Sequence, residues 1–483
     1  MIPVLTKEQA YKLDNDTIES GYLSQQELMD NAGKAVAQFF CEKIQNPFSK
    51  TVIVVCGKGN NGGDGIVAHS YLKKYNVSSK IVFTEKNHDH SKLLKKYKIS
   101  TSDYSIYNDK TNFNKYDWII DGIFGIGLSR KLNNRYRNLI TKINCFNIIS
   151  IDMPSGVSDS LDETVVVNSK YTITFGFSKL SHYMIPVPNI KITDIGFQKL
   201  NKSTINKIDE YDVKEILNPI SIKKNIHKKK TQCNIISGSI YYPGAAFLCS
   251  MAANKTGSGY VALYTDSKNN LIQNLQTLMP EVIVRDLDLF DSNSISFPTL
   301  IGPGGQLMPT SENLDKTASY VIDASALSAF DDLESTIEND ITEIPNHSIM
   351  TPHEGEFKIF FKLPKNKKIN VNDFRKIQKL IENRIVILKS FNTFIITSDM
   401  IYILSNGPSL LATAGTGDVL SGILISLLSQ GYSRLEASIL GTYLHAEAAN
   451  YYMNNISKDG MTASDLIDCI PHAFNELRKE NEL

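Results

Sequence analysis

The chain has 483 residues, 42% of them apolar and 21% charged, which is too long for one ordinary hydrophobic core and makes two domains the natural expectation. Fifty-one basic residues balance 51 acidic ones, so no broad field favours nucleic acid or an anionic membrane. The start "MIPVLTKEQAYKLDNDT" soon turns polar and no apolar run approaches the roughly 18 residues of a spanning helix, so a cytoplasmic protein with no secretory leader and no membrane contact is expected.

Ser24-x-x-Glu27 is a capping box ahead of "LMDNAGKAVAQFF", which predicts an amphipathic helix over about 24–41. Apolar runs at 51–56, 80–84, 117–121, 147–152 and 171–175 then alternate with helical or irregular stretches, the pattern of βαβ units and a parallel sheet. Between about 199 and 231 the pattern fails. That stretch is polar, carries Pro219 and predicts a domain boundary near 211, dividing the chain into 1–211 and 212–483. Its KKNIHKKK cluster reads as a solvated linker.

A second alternation follows, from "CNIISGS" through "GYVALYT", "FPTLIGPG", "YVIDAS", "SIMTPH", "RIVILKS" and "TFIITS" to "GTGDVLSGILISLLSQG". The chain therefore reads as α/β, with two domains in tandem. Its six cysteines lack paired metal-ligand spacing and read as reduced thiols.

In "VVCGKGNNGGDGIV" (54–67) an apolar strand runs into Gly57-x-Gly59-x-x-Gly62 and then a helix, with Glu85 following a second apolar run. This is nearly the fingerprint of a dinucleotide site, where glycines admit a pyrophosphate to a helix N-terminus and a carboxylate takes the ribose hydroxyls. The loop nevertheless carries Asn60, Asn61 and Asp64, which offer hard oxygen atoms, and an aspartate facing a pyrophosphate is unfavourable. Two further strands end in Asp121 and Asp152, the latter followed by Pro154, Ser155 and Gly156. Three strands thus deliver polar residues to one sheet edge, where open α/β sheets bind ligands. In the second half, Gly415-x-Gly417-Asp418 turns into a helix whose free amides face an anion. Asp418 stands there to take a proton from a hydroxyl during phosphoryl transfer.

The pieces "LMDNAG", "GKGNNGGDG", "DGIFGIGLSR" and "SIDMPSG" resemble the NAD(P)H-hydrate epimerase family over about residues 1–210. The resemblance implies a Rossmann-like domain that interconverts the R and S forms of hydrated NADH or NADPH. It implies that Asn60, Asn61, Gly62, Gly63 and Asp64 hold the substrate together with Gly125, Ile126, Gly127, Leu128, Ser129, Arg130 and Lys131. It further implies a potassium ion (K+) on Asn61, Asp121 and Ser155, with Asp152 touching the reacting ring.

"YPGAA", "IGPG", "DASAL", "TPHEGEF" and "AGTGDVLSG" similarly resemble, over about 230–450, the ribokinase-like ADP/ATP-dependent NAD(P)H-hydrate dehydratases. That likeness implies phosphorylation of the ring hydroxyl by ADP or ATP with magnesium (Mg2+), then loss of phosphate to regenerate NAD(P)H. It makes Asp418 the base. His353, Ala245 and Gly304 hold the hydrate, and Lys389, Ser390, Phe391, Asn392, Thr393 and Gly417 surround the nucleotide. Ser390 stands where the family has glycine, Ala414 replaces another glycine, and Gln306 follows "IGPGG". A homo-oligomer acting on small molecules is expected. The alternative is a ribokinase-like kinase of a vitamin alcohol with an accessory Rossmann module.

Overall fold

A computed structural model describes the chain except residues 87–89, 129, 159–162, 201–202, 218–227, 267–269, 291–296, 306–313, 316, 330–335 and 480–483. It forms two compact units, one of Pro3–Ser203 with Lys368–Asn372, the other of Met1–Ile2, Thr204–Lys367 and Asp373–Leu483. Among the described residues no helix is long and apolar enough to cross a membrane.

In the N-terminal unit the order is β1 (Ile2–Leu5), α1 (Lys7–Glu19), α2 (Gln25–Lys43), β2 (Thr51–Cys56), α3 (Asn60–Lys74), β3 (Ser78–Phe83), α4 (Ser91–Lys96), β4 (Tyr104–Ile106), β5 (Trp118–Gly122), α5 (Asn134–Ile143), β6 (Asn147–Ile151), β7 (Tyr171–Phe175), β8 (Ser178–Lys179), α6 (Ser181–Met184) and β9 (Ile190–Thr193). Seven strands pair in parallel in the order β4-β3-β2-β5-β6-β7-β9, and β1 pairs with β8. The capping box is as the sequence predicts. Ser24 Oγ accepts from Glu27 N and Glu27 accepts from Ser24 N, which sets the start of α2.

Strand β2 shows why this sheet is covered on both faces. Val52 and Val54 enter one core with Phe40 and Leu72, while Ile53 and Val55 enter a second with Leu139 and Ile140. Alternation of side chains thus feeds two cores from one continuous apolar run.

The C-terminal unit adds β10 (Ile205–Lys207), α7 (Glu210–Ile216), β11 (Gln232–Ile236), α8 (Pro243–Thr256), β12 (Tyr260–Thr265), α9 (Leu271–Leu278), β13 (Ile283–Asp286), β14 (Thr299–Ile301), β15 (Tyr320–Ile322), α10 (Ser325–Ala329), α11 (Ile337–Glu343), β16 (Ser348–Met350), α12 (Glu354–Phe360), α13 (Val371–Gln378), β17 (Ile385–Lys389), β18 (Thr393–Ile396), β19 (Ile401–Leu404), α14 (Thr416–Ser429), α15 (Arg434–Asn455) and α16 (Ala463–Arg478). Its strands run β13-β12-β11-β14-β15-β16-β17-β18-β19-β10, parallel except where β18 meets β17 and β19.

The stretch after 199, read from the sequence as polar and without an apolar pattern, holds two ordered elements, while residues 223–227 of its KKNIHKKK cluster lie outside the described residues. Asp209 and Asp212 form a capping box at the start of α7, and β10 pairs with β19. Ile208, Val213 and Leu217 are buried in the core with α14, α15 and α16. Three apolar residues among many charges are enough to anchor two short elements, too few to give a visible period.

Candidate active sites

Leaving β2, the chain turns through Gly57 into α3. A Cβ at Gly57 would lie 2.0 Å from Ile123 O, so only glycine lets this turn approach the end of β5. The N-cap is Gly59, which makes no side-chain bond, so the start of α3 is open to a ligand. Next to it lies a cavity of about 950 Å³. Asn60, Asn61 and Asp64 line it, as do Gly125, Ile126, Gly127, Leu128, Arg130 and Lys131. Gly62 and Gly63, in the same helix, do not line it and pack against Gly57 and Met29. Ser129 falls outside the described residues.

Asp152 follows β6 and reaches the cavity wall. Its φ of 63° is a left-handed conformation uncommon outside glycine, though aspartate adopts it more readily than most residues, and the surrounding bonds hold it in place. Oδ1 accepts from Lys179 Nζ at 2.8 Å and Thr174 Oγ1 at 3.1 Å, and Oδ2 accepts from Ile126 N at 3.3 Å. His182 Nδ1 accepts from Lys179 N and its Nε2 meets Asp152 O at 2.8 Å, which fixes one neutral tautomer with Nε2–H donating. Burial, aided by Lys179, pushes the His182 pKa down to about 4.

Burial works to raise the Asp152 carboxyl, but the charge and hydrogen bond of Lys179 outweigh it and hold the group below its ordinary value. Its neighbours go the other way. Burial pushes Asp14 up to about 6 and Asp64 well above the carboxylate range, with Asp152 adding to both. At this end of the cavity an ionised Asp152 thus stands beside the more readily protonated Asp14 and Asp64. Neither Lys179 nor Asp14 belongs to a motif singled out in the sequence. The signal available for Lys179 was its place just past β7, the next strand end along the same edge.

Asp121 and Ser155 lie fully buried and do not line this cavity. Asp121 accepts from Ser155 Oγ at 2.6 Å, Ser155 N at 2.9 Å, Ser150 Oγ at 2.9 Å and Ile123 N at 3.2 Å. Burial raises its carboxyl while these bonds oppose the rise. Asn61 Nδ2 is buried without a partner, and Asn61 Oδ1 lies 3.2 Å from the place a Cβ on Gly125 would take. Among the described residues Asp121 has no cationic partner, and no three His, Cys, Asp or Glu residues cluster as a metal site. One carboxylate with neutral oxygens around it is a donor set that fits a weakly charged ion such as potassium better than magnesium.

In the C-terminal unit Gly415 has φ 88° and serves as N-cap of α14, so the one glycine the turn demands is retained. Ala414 and Ser390 are absent from the left-handed region, and Ser390 Oγ donates to Asn392 O at 2.8 Å. Both replacements of glycine are therefore accommodated. Gln306 lies outside the described residues.

Asp418 occupies the first turn of α14. Burial, together with the negative charge of Asp323, pushes its pKa up to about 6, with Lys389 opposing. Lys389 Nζ binds Asp323 Oδ1 at 3.0 Å and stands 3.3 Å from where a Cβ on Gly417 would be. Ser421 Oγ donates to Asp323 Oδ2 at 2.7 Å. His445, fully buried, meets Thr416 O through Nε2 at 2.8 Å, and burial lowers its pKa to about 4. Asp323 lies in a motif noticed in the sequence, yet its bond to Lys389 depends on the β15-β16-β17 neighbourhood, which no local pattern announces. Ser421 and His445 sit on helix faces and carry no motif.

Gly304 packs against Ala245 and Tyr242, bringing two of the expected hydrate contacts together. His353 caps α12, its Nδ1 accepting from Gly355 N and Glu356 N, and its backbone bridges to Lys389. The His353 side chain is largely exposed. Phe391 is exposed, Asn392 buried and Thr393 half-buried, at the turn from β17 into β18.

Comparison with known proteins agrees over both units. Residues 233–472 match a family described as NAD(P)H-hydrate dehydratase, and residues 25–181 match one described as YjeF-related protein N-terminus. A bifunctional NAD(P)H-hydrate repair enzyme of Dictyoglomus turgidum is 30% identical over 502 residues, covering 94% of this chain and 95% of that protein. A similarly described protein of Thermofilum pendens is 28% identical, covering 97% and 96%. A solved ADP/ATP-dependent NAD(P)H-hydrate dehydratase from Bacillus subtilis is 23% identical with a TM-score of 0.48, covering 57% of this chain and all of that one. With both halves matched in order and the relatives aligned over nearly their whole length, the chain belongs to the family of bifunctional NAD(P)H-hydrate repair enzymes.

Proposed function

We propose that the N-terminal unit epimerises the R and S hydrates of NADH and NADPH, and that the C-terminal unit, beginning at Thr204, dehydrates the S form using ADP or ATP. The observation that carries this reading is Asp418, a carboxyl raised to about 6 at an open helix N-terminus with Lys389 beside it. A base with a pKa near neutrality can deprotonate a hydroxyl, while the lysine and the helix amides receive the developing phosphoryl charge.

Asp418 takes the proton of the ring hydroxyl as its oxygen attacks the terminal phosphorus of the nucleotide. The phosphorylated hydrate then loses phosphate from that ring carbon and a proton from its neighbour, giving the dihydropyridine. Asp323 positions Lys389. His353, Ala245 and Gly304 contact the hydrate, and Lys389 through Thr393 with Gly417 surround the nucleotide. Magnesium bound to the nucleotide would supply the neutralisation of phosphate charge that such transfers usually require.

In the N-terminal unit the substrate occupies the cavity, held by Asn60, Asn61, Asp64 and the loop from Gly125 to Lys131. Inversion at the hydroxylated carbon requires loss of hydroxide, with the ring nitrogen supplying electrons, and return of water to the opposite face. Asp152 faces that transiently cationic ring, and Lys179 keeps it ionised. Potassium on Asn61, Asp121 and Ser155 would neutralise the buried Asp121 carboxylate and brace the loop over the ring. Family membership favours this reading over a vitamin-alcohol kinase, which would release a stable phosphate ester. Incubating the protein with NADH hydrate and ADP or ATP, and following NADH absorbance with free phosphate, separates the two. A phosphate ester without NADH would refute dehydration.

A further inference from the structure

Glu85 follows β3, which lies on one side of β2, while Asp152 follows β6 on the other. The order β3-β2-β5-β6 separates these strand ends by three inter-strand steps, about 14 Å at about 4.8 Å per step. The chain leaves β2 towards β3 and returns on the other side at β5, so the start of α3 stands at the point where strand order reverses. Glu85 and Asp152 line the same cavity, whose volume of about 950 Å³ is near the upper end of small-molecule sites. A ligand with its reacting ring at Asp152 and its bridge at α3 therefore has its far end at Glu85.

The chemistry at that end is built. Glu85 Oε1 accepts from Tyr136 Oη at 2.6 Å, and Oε2 pairs with Lys58 Nζ at 2.5 Å. Those two partners hold the carboxyl below its ordinary value, so it faces the cavity as an anion. Lys58 and Tyr136 line the cavity as well. A carboxylate here accepts hydrogen bonds from a vicinal diol. A phosphate on one of those oxygens would meet a like charge, and the cations nearby are already engaged, Lys58 with Glu85 and Arg135 with the carbonyls of Thr84 and Tyr107.

We propose that Glu85, positioned by Tyr136 and Lys58, forms the subsite for the adenosine ribose of the hydrated cofactor and selects a free 2′-hydroxyl, so that epimerisation favours NADH hydrate over NADPH hydrate. This rests on the reading of the N-terminal unit as the epimerase.

The test is kcat/KM for epimerisation of each hydrate by the full chain and two variants. The unaltered protein favours NADH hydrate by about tenfold or more, since like-charge contacts discriminate strongly. Glu85→Gln lowers that ratio at least about fivefold, by slowing NADH hydrate and freeing Lys58 for the phosphate. Lys58→Met raises the ratio, because Glu85 then stands uncompensated. Equal use of both hydrates by the unaltered protein overturns the proposal without any variant. So does a ratio that both variants leave unchanged while melting as the unaltered chain does. Failure to epimerise either hydrate would instead overturn the epimerase assignment, and the subsite with it.

Discussion

Lys179 Nζ lies 2.8 Å from Asp152 Oδ1, with the two side chains only 6% and 13% exposed. The contact joins the end of β6 to β8 and is the main reason the Asp152 carboxyl stays ionised in a buried place. Removing the ammonium leaves an unpaired buried carboxylate, which takes up a proton instead. Lys179→Met is expected to reduce epimerisation about 10²-fold or more and to shift its acidic limb to higher pH. Dehydration of the S hydrate stays unchanged. A pH profile of R-to-S conversion checks this, and an unshifted profile would remove Lys179 from its role.

Asp418 sets the pH dependence of the second activity. With its pKa at about 6, dehydration falls roughly tenfold per pH unit below that value as the base is protonated. Lys389 lowers the Asp418 pKa, so Lys389→Met moves this limb to higher pH besides weakening nucleotide binding. Rates of NADH formation between pH 5 and 8 at saturating nucleotide decide the matter. An unmoved limb in Lys389→Met would contradict the assignment.

The buried Asp121 site makes a separate claim. The set read as its ligands, the Asp121 carboxylate with the neutral oxygens of Asn61 and Ser155, carries a single negative charge and suits potassium better than magnesium. Epimerisation is therefore expected to rise on adding potassium to protein freed of it, and not on adding magnesium alone. A structure with a bound ion should show ligand distances longer than the roughly 2.1 Å of magnesium. Asp121→Asn should abolish the potassium response.

The placement of α7 bears on any division of the chain. Ile208, Val213 and Leu217 are buried with the C-terminal core, and truncating one such side chain costs about 2–5 kcal/mol. A C-terminal fragment beginning at 204 is expected to fold and dehydrate the S hydrate. One beginning at 218 should melt many degrees lower. Equal melting temperatures would show that β10 and α7 contribute nothing to that unit.

How much of this was legible in the sequence depends on the reach of each signal. The capping box of α2, the run of β2 and the glycine turn at Gly415 are local, and the chain folds there as its residues dictate. The ends of β5 and β6, with Asp121 and Asp152, followed from counting strands along one edge. Lys179, Asp323, Ser421 and His445 were not legible as members of their sites. Each acts through a partner at least 27 residues away, as between Asp152 and Lys179, and strand order together with the packing of α14 and α15 decides that such pairs meet. Strands β10 and β19 were missed for a related reason. Three and four residues show no period, and pairing with neighbours, β10 with β19 and β19 with β18, is what makes them strands.

The division of labour between the two sites is tested most directly by an equal mixture of R and S NADH hydrate, incubated with ADP or ATP and magnesium, with NADH absorbance followed to completion. The unaltered protein should convert the whole mixture. Asp152→Asn should convert the S half promptly and leave the R half to its slow spontaneous interconversion, while Asp418→Asn should form no NADH yet still equilibrate the two epimers. Full and rapid conversion by Asp152→Asn, or NADH formation at a near-normal rate by Asp418→Asn, would contradict the account.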